Sequence, residues 1–441
     1  MLKIFIILFF FINIISKQII LDLKNYKNFS NEFSFENNII LNDLITDIFI
    51  GTNYQKLTFS VRTNEYSTVL IGNNCEILYP EIQIKYKQEL SKDFKQITHE
   101  IIYGEESYIK ACISNDKFSL FKNDENYKNK NNLINKNNKI NFYINFLLVS
   151  RIRINNFFSY SEKLPPSHSG IIGLNICPMY ESVQGTGLIE NLKKNNIIDN
   201  YAFSFIFNKD KFNLILGYEY NINDLKNYKF RRTEIIEKYS SLDWAILFDS
   251  IYYDNIEINH IKGSRFIIEM GVVVADDKFK DLLVQNFFGK YINKSICFLN
   301  KLSDNYTEYI FCKNKINIKN FKSIIFYMKD INFSFELNYQ DLFIIKNNIV
   351  YFLITFQKSK KFWDFGFPIF KKYKLIFDID KKIIGIHLNN NKLIEKCNIL
   401  IYLLYILLIL LIGIVVYIKF ILNKNKIKNK AIELNITYKI I

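Results

Sequence analysis

Two carboxylates stand where a turn interrupts an apolar run. Glu65 lies inside Phe59-Ser60-Val61-Arg62-Thr63-Asn64-Glu65-Tyr66-Ser67-Thr68-Val69-Leu70-Ile71, and Glu269 inside Phe266-Ile267-Ile268-Glu269-Met270-Gly271-Val272. Carboxylates held close together can share one proton, so that one activates a water while the other protonates a carbonyl. Asn64, beside Glu65, is nearly isosteric with Asp, but its amide accepts no proton near neutral pH. No Asp occurs from Ile48 to Lys92, so no shift of register brings one into the first turn. Metal chemistry has less support: His99, His168, His260 and His387 are scattered, and no CxxC or HxxxH spacing occurs. Neither a metal nor a cofactor is expected.

Short runs rich in Ile, Phe, Tyr and Val surround these turns, separated by Asn, Lys, Asp and Ser clusters. Ile45 to Ile50, Leu57 to Val61, Phe142 to Val149, Tyr201 to Phe207, Leu214 to Leu216, Trp244 to Phe248, Phe266 to Ile268, Ser323 to Met328 and Leu375 to Phe377 have the length and content of strands. Helical patterning is confined mainly to Thr186 to Asn195 and Asp277 to Phe288. Lys122 to Lys139, mostly Asn and Lys, offers no continuous core face and reads as a surface insertion.

The first turn, preceded by Ile48-Phe49-Ile50-Gly51-Thr52 and followed by Cys75, resembles the N-terminal loop of pepsin-like aspartic peptidases, where "IGTPPQ" leads into "FxVxxDTGSSxLWV". Further segments follow in family order. Ile102-Tyr103-Gly104-Glu105-Glu106-Ser107 resembles the flap, Ser169 to Leu174 resembles "DGILGL", and Asn191 to Phe205 with Leu214 to Gly217 is similar to "LKxxGLIxxxxFSFYL" and its closing "FGG". In the second half, Trp244-Ala245-Ile246 is similar to "WxI", Phe266 to Val272 stands where "AIVDTGTS" is expected, and Phe365 to Tyr373 resembles "LGDxFLRxYY". Leu375 to Asp378 with Ile384-Gly385 resembles the family ending. The resemblance covers roughly residues 44 to 387 and implies a mainly β, bilobal pepsin-like fold with a central cleft.

It also implies one Asp in each half, and the matching positions here are Asn64 and Glu269. Asn64 can still form hydrogen bonds across the cleft, but Glu269 is then a solitary carboxylate displaced by one methylene, about 1 Å. Tyr66, at the family's Gly position, adds bulk between the turns, and a positive φ there would be unfavourable. Phe367 replaces the acidic residue of the "LGD" segment. Tyr103, Gly104 and Ser107 retain the flap's substrate-binding positions, so a peptide or protein ligand in the cleft is the expected partner.

Composition sets the remaining bounds. Of 441 residues, 49% are hydrophobic and 16% aromatic, enough for a large core. The net charge of +15 comes from dispersed Lys, which argues against a nucleic-acid role. Residues 1–16 carry the layout of a signal peptide, 17–43 form a short N-terminal segment, and 44–225 and 226–390 are the expected lobes. Ile399 to Ile418, without a charge, is long enough for a transmembrane helix, and the Lys-rich tail 419–441 favours the cytoplasmic side. The expectation is a single-pass type I membrane protein of the secretory pathway, vacuolar or lysosomal membrane or cell surface, its body lumenal or extracellular. Cys75 with Cys112 and Cys297 with Cys312 are the expected disulfides, leaving Cys177 over or bonded to Cys397. Asn28, Asn293, Asn305 and Asn332 are candidate glycosylation sites.

Altered chemistry at both positions predicts a membrane-anchored homologue that binds peptide without hydrolysing it. The alternatives are a working acid endopeptidase that uses Glu269, with or without Glu65, and a glycosylated surface or sorting ectodomain.

Overall fold

A computed structural model of the chain describes residues 17–25, 39, 43–77, 85–99, 101–103, 108–121, 139–153, 168–176, 185–208, 211–218, 227–233, 243–258, 262–302, 304–313 and 316–388. Period-two patterning accounts for its strands. In Ile19–Asn25, Ile19, Leu21 and Leu23 are buried while Ile20, Asp22 and Lys24 are exposed, and Leu44–Ile50 alternates in the same way. The first of these strands precedes Leu44, where the sequence suggested that strands begin.

Ile19–Asn25 pairs antiparallel with Lys211–Leu216 and, through Lys24 and Asn25, with Leu44–Ile50. Lys211–Leu216 continues to Ala202–Asn208, which pairs with Leu375–Asp378 so that Phe203 faces Phe377. Ile383–His387 and then Tyr228–Arg232 complete this run. One antiparallel floor is thus assembled from the beginning, middle and end of the chain. The Phe203 and Phe377 rings stack at 4.8 Å, Trp244 meets Phe377 edge-on at 5.0 Å, and Trp244 Nε1 donates to Leu174 O at 2.9 Å. Apolar burial and a satisfied indole N–H therefore tie the halves together at one place.

The second half adds an eight-stranded sheet and a four-stranded sheet, the latter ordered Ile256–Glu257, Ser250–Tyr253, Ile324–Met328, Phe333–Leu337. The expected helices occur as Leu188–Lys194 and Asp277–Leu283, the latter capped by Asp276, whose carboxylate accepts from Lys278 N at 2.8 Å. Val284–Phe288 continues as a wider π turn, which turns Phe287 and Phe288 into the core.

Cys297 and Cys312 lie opposite one another on paired strands and are joined by a disulfide. The expected bond between Cys75 and Cys112 is not formed. Cys75 belongs to Val69–Ile77 and Cys112 to Tyr108–Phe121, and Lys139–Arg153 runs between them, pairing with both. Two spacings of about 4.8 Å separate the backbones by roughly 10 Å, too far for a disulfide. Both side chains remain buried.

Among the described residues, no helix is long and apolar enough to cross a membrane. The expected signal peptide, the span from Ile399 to Ile418, the insertion through Asn138, Asn28, Cys177 and Cys397 lie outside the described residues.

Candidate active site

The two turns occupy matching places in two copies of one strand arrangement. In the first half, Gln55–Arg62 runs parallel to Gly170–Gly173, with Ser60 opposite Ile171. The chain then turns and returns as Val69–Ile77, antiparallel to the same strand with Val69 opposite Ile171, and parallel to Lys139–Arg153. In the second half, Gly263–Phe266 runs parallel to Trp363–Phe365, with Arg265 opposite Asp364. The chain returns as Val273–Asp276, antiparallel with Val274 opposite Asp364, and parallel to Ile349–Gln357.

Val69 lies nine positions after Ser60, and Val274 nine positions after Arg265. Counting along the turns makes Asn64 equivalent to Glu269, Thr63 to Ile268 and Arg62 to Ile267. A glycine backs each turn: a Cβ on Gly173 would stand 2.4 Å from the Tyr66 carbonyl carbon, and one on Gly366 would stand 2.1 Å from Val272 O. Only the absence of a side chain allows these close approaches.

Thr63 makes the direct connection between the halves. Its Oγ1 accepts from Ile268 N at 3.0 Å and donates to Phe266 O at 2.9 Å. Its backbone N donates to Glu269 Oε2 at 3.2 Å. The expected role of Asn64 in bonding across the cleft is not realised by its side chain, whose Oδ1 is buried without a hydrogen-bond partner. Asn64 instead offers its backbone carbonyl to Asn175 Nδ2 at 3.2 Å. The same amide donates to Asp243 Oδ1 at 3.1 Å, and Asp243 lies 3.7 Å from Arg265 Nη1, so the first turn is also tied to the opening of the second half.

Glu269 is 6% exposed, and its Oε1 has no hydrogen-bond partner. Burial pushes its carboxyl up to about 7. The Arg62 guanidinium and the Thr63 N–H favour the ionised form, while the Glu65 charge opposes it. Glu65 itself is partly exposed. One buried carboxyl bonded to backbone, with an amide at the equivalent position, cannot form a proton-sharing pair by itself.

Tyr66 does not crowd the opposite turn, as its place at a glycine position had suggested. It takes no positive φ and packs in its own half with Ile71, Cys75, Ala111, Leu147 and Val149. Its hydroxyl bonds to Glu190, whose carboxylate also pairs with Lys194 at 2.6 Å. Gly187 provides the space: a Cβ there would lie 2.7 Å from the Tyr66 ring.

The two strands on either side of the expected flap turn pair antiparallel, with Tyr103 ending Ile101–Tyr103 opposite Ile109 of Tyr108–Phe121. Gly104 and Ser107 lie outside the described residues. Asn293, Asn305 and Asn332 are exposed, each at or beside a turn. Phe367 packs against Phe207 and Phe212 at 5.1 and 6.0 Å, so the residue in the acidic place joins the core. Among the described residues, no three His, Cys, Asp or Glu side chains gather as metal ligands. Thr63, Asn175 and Asp243 were not singled out by the sequence. Only the adjacency of Thr63 to Asn64 could have pointed to it.

No curated protein matches the chain. A family model for the eukaryotic aspartyl proteases matches residues 44–388, well over half of it. The match spans both strand arrangements and, apart from Ile19–Asn25, the floor beneath them. This chain belongs to the eukaryotic aspartyl protease family.

Proposed function

We propose that the chain is a pepsin-like homologue that binds peptide or protein in its cleft without hydrolysing it. The observation that carries this reading is the pairing of Asn64 with Glu269 at equivalent positions, the latter's carboxylate being turned onto Thr63 N. Acid proteolysis needs a second carboxylate to share the proton, and an amide does not supply it. In the same reading, residues 1–16 direct the chain into the secretory pathway and 399–418 anchor it. The two lobes then lie in the lumen or outside the cell, with Asn28, Asn293, Asn305 and Asn332 available to glycans.

The decisive experiment assays the full chain on peptide libraries from pH 2 to 8 beside Asn64→Asp/Glu269→Asp. The expected outcome is no turnover by the natural chain and saturable peptide binding. Turnover by the natural chain that disappears in Glu269→Ala would overturn the proposal. That result would favour an acid endopeptidase that uses Glu269, with or without Glu65.

A further inference from the structure

The two equivalent turns exchange hydrogen bonds unequally. Thr63 uses its hydroxyl to accept from Ile268 N. A reciprocal bond would need a side-chain oxygen at position 268 to accept from Thr63 N, but Ile268 is hydrocarbon and fully buried. The Thr63 N–H is satisfied instead by Glu269 Oε2, from the next residue along the chain. The same oxygen lies 3.3 Å from Thr63 Oγ1. A buried N–H left without an acceptor forfeits its hydration with no return, so this contact has a consequence for how firmly the turns hold together.

We propose that Glu269 is a positioning residue that completes a reciprocal clasp between the two halves, its carboxylate standing in for the hydroxyl that position 268 lacks. Its length suits the task, because the additional methylene relative to Asp lets the carboxylate reach back to the opposite turn. Thr63 supplies one arm of the clasp through its hydroxyl, and Glu269 supplies the other through Oε2. The clasp joins the turn that carries Asn64 to the turn that carries Glu269, so it fixes how these two equivalent turns stand against each other.

The inference rests on the non-catalytic reading of Glu269, but its test contains no ligand and fails separately from peptide binding. Hydrogen exchange across residues 59–71 and the thermal midpoint are measured on the full chain for Glu269→Ala, Glu269→Gln, Ile268→Thr and Glu269→Ala/Ile268→Thr. Glu269→Ala is expected to accelerate exchange at the Thr63 amide by about tenfold or more, while Glu269→Gln, which keeps an acceptor oxygen, leaves it near the natural rate. Ile268→Thr in the Ala background supplies the missing hydroxyl and restores slow exchange. Folding of the double variant where Glu269→Ala alone does not fold is the same rescue. Unchanged exchange in Glu269→Ala, or a double variant no better than it in exchange or folding, would overturn the clasp.

Discussion

Thr63 and Glu269 come from opposite halves of the chain, 206 residues apart, and share a hydrogen bond of 3.2 Å from backbone N–H to carboxylate. The bond takes the carboxylate that family resemblance assigns to chemistry and engages it in holding two turns together. It also buries an ionisable group, which makes stability depend on pH.

Glu269 is held near 7 in the folded chain, whereas its ordinary value is 4.5. Between these values the folded chain binds the proton more readily than the unfolded one. The stabilising contribution is therefore full below 4.5 and is lost as pH rises through 7, by on the order of 3 kcal/mol. Burial dominates this balance; Arg62 and Thr63 N–H reduce it, and Glu65 adds to it. Thermal scans of Glu269→Gln are expected to flatten this decline and raise the midpoint at pH 8. An unchanged pH profile would show that Glu269 is not its source.

Restoring glycine at position 66 is expected to damage the protein. Tyr66 is 7% exposed, fills space beside Gly187 and bonds to Glu190. Tyr66→Gly leaves a cavity and frees the backbone, at a cost of about 3–5 kcal/mol by chemical denaturation. Tyr66→Phe keeps the ring and loses one hydrogen bond, about 1 kcal/mol.

Gly173→Ala places a methyl 2.4 Å from the Tyr66 carbonyl carbon and 2.6 Å from Glu65 O. Backbone cannot step aside as a flexible side chain can, so a loss of about 2 kcal/mol or more is expected. Denaturation midpoints of Gly173→Ala and Gly366→Ala should both fall, because each glycine backs an equivalent turn.

Replacing Cys297 and Cys312 together by Ser opens a loop of 15 residues and is expected to cost about 3 kcal/mol. Cys75 and Cys112 should not be joined to each other, and peptide mapping of the natural chain is expected to find no fragment linking these two. A Cys75–Cys112 linked fragment would contradict the strand order.

The strand pattern and the places of both turns were legible because period-two burial and motif order are written locally. Phe203 and Leu375 could be assigned to strands from their neighbours alone. Their joint place in one floor depends on pairings across the chain that no local pattern encodes. The substitution at Asn64 was equally visible, since identity is a property of the sequence. The ring of Tyr66 was misjudged because a family position says what space is normally filled, whereas Gly187, more than a hundred residues later, decides what space is open. Cys75 and Cys112 failed as a pair for a similar reason: the strand that separates them is contributed by residues 139–153. Thr63 gave no chemical signal, because its importance comes from what lies opposite it.

The shared floor also has a consequence for biosynthesis. Ser204 Oγ donates to Leu375 O across 171 residues, and the N-terminal strand belongs to the same floor. A ribosome that has completed the first half has not yet made the strands that cover its edge. Ala202–Asn208 must wait with one side open until Leu375–Asp378 emerges. Late, long-range closure of this kind slows folding and leaves a sticky strand edge exposed in the meantime. The nascent chain therefore has its greatest need of chaperones just before Leu375–Asp378 is made.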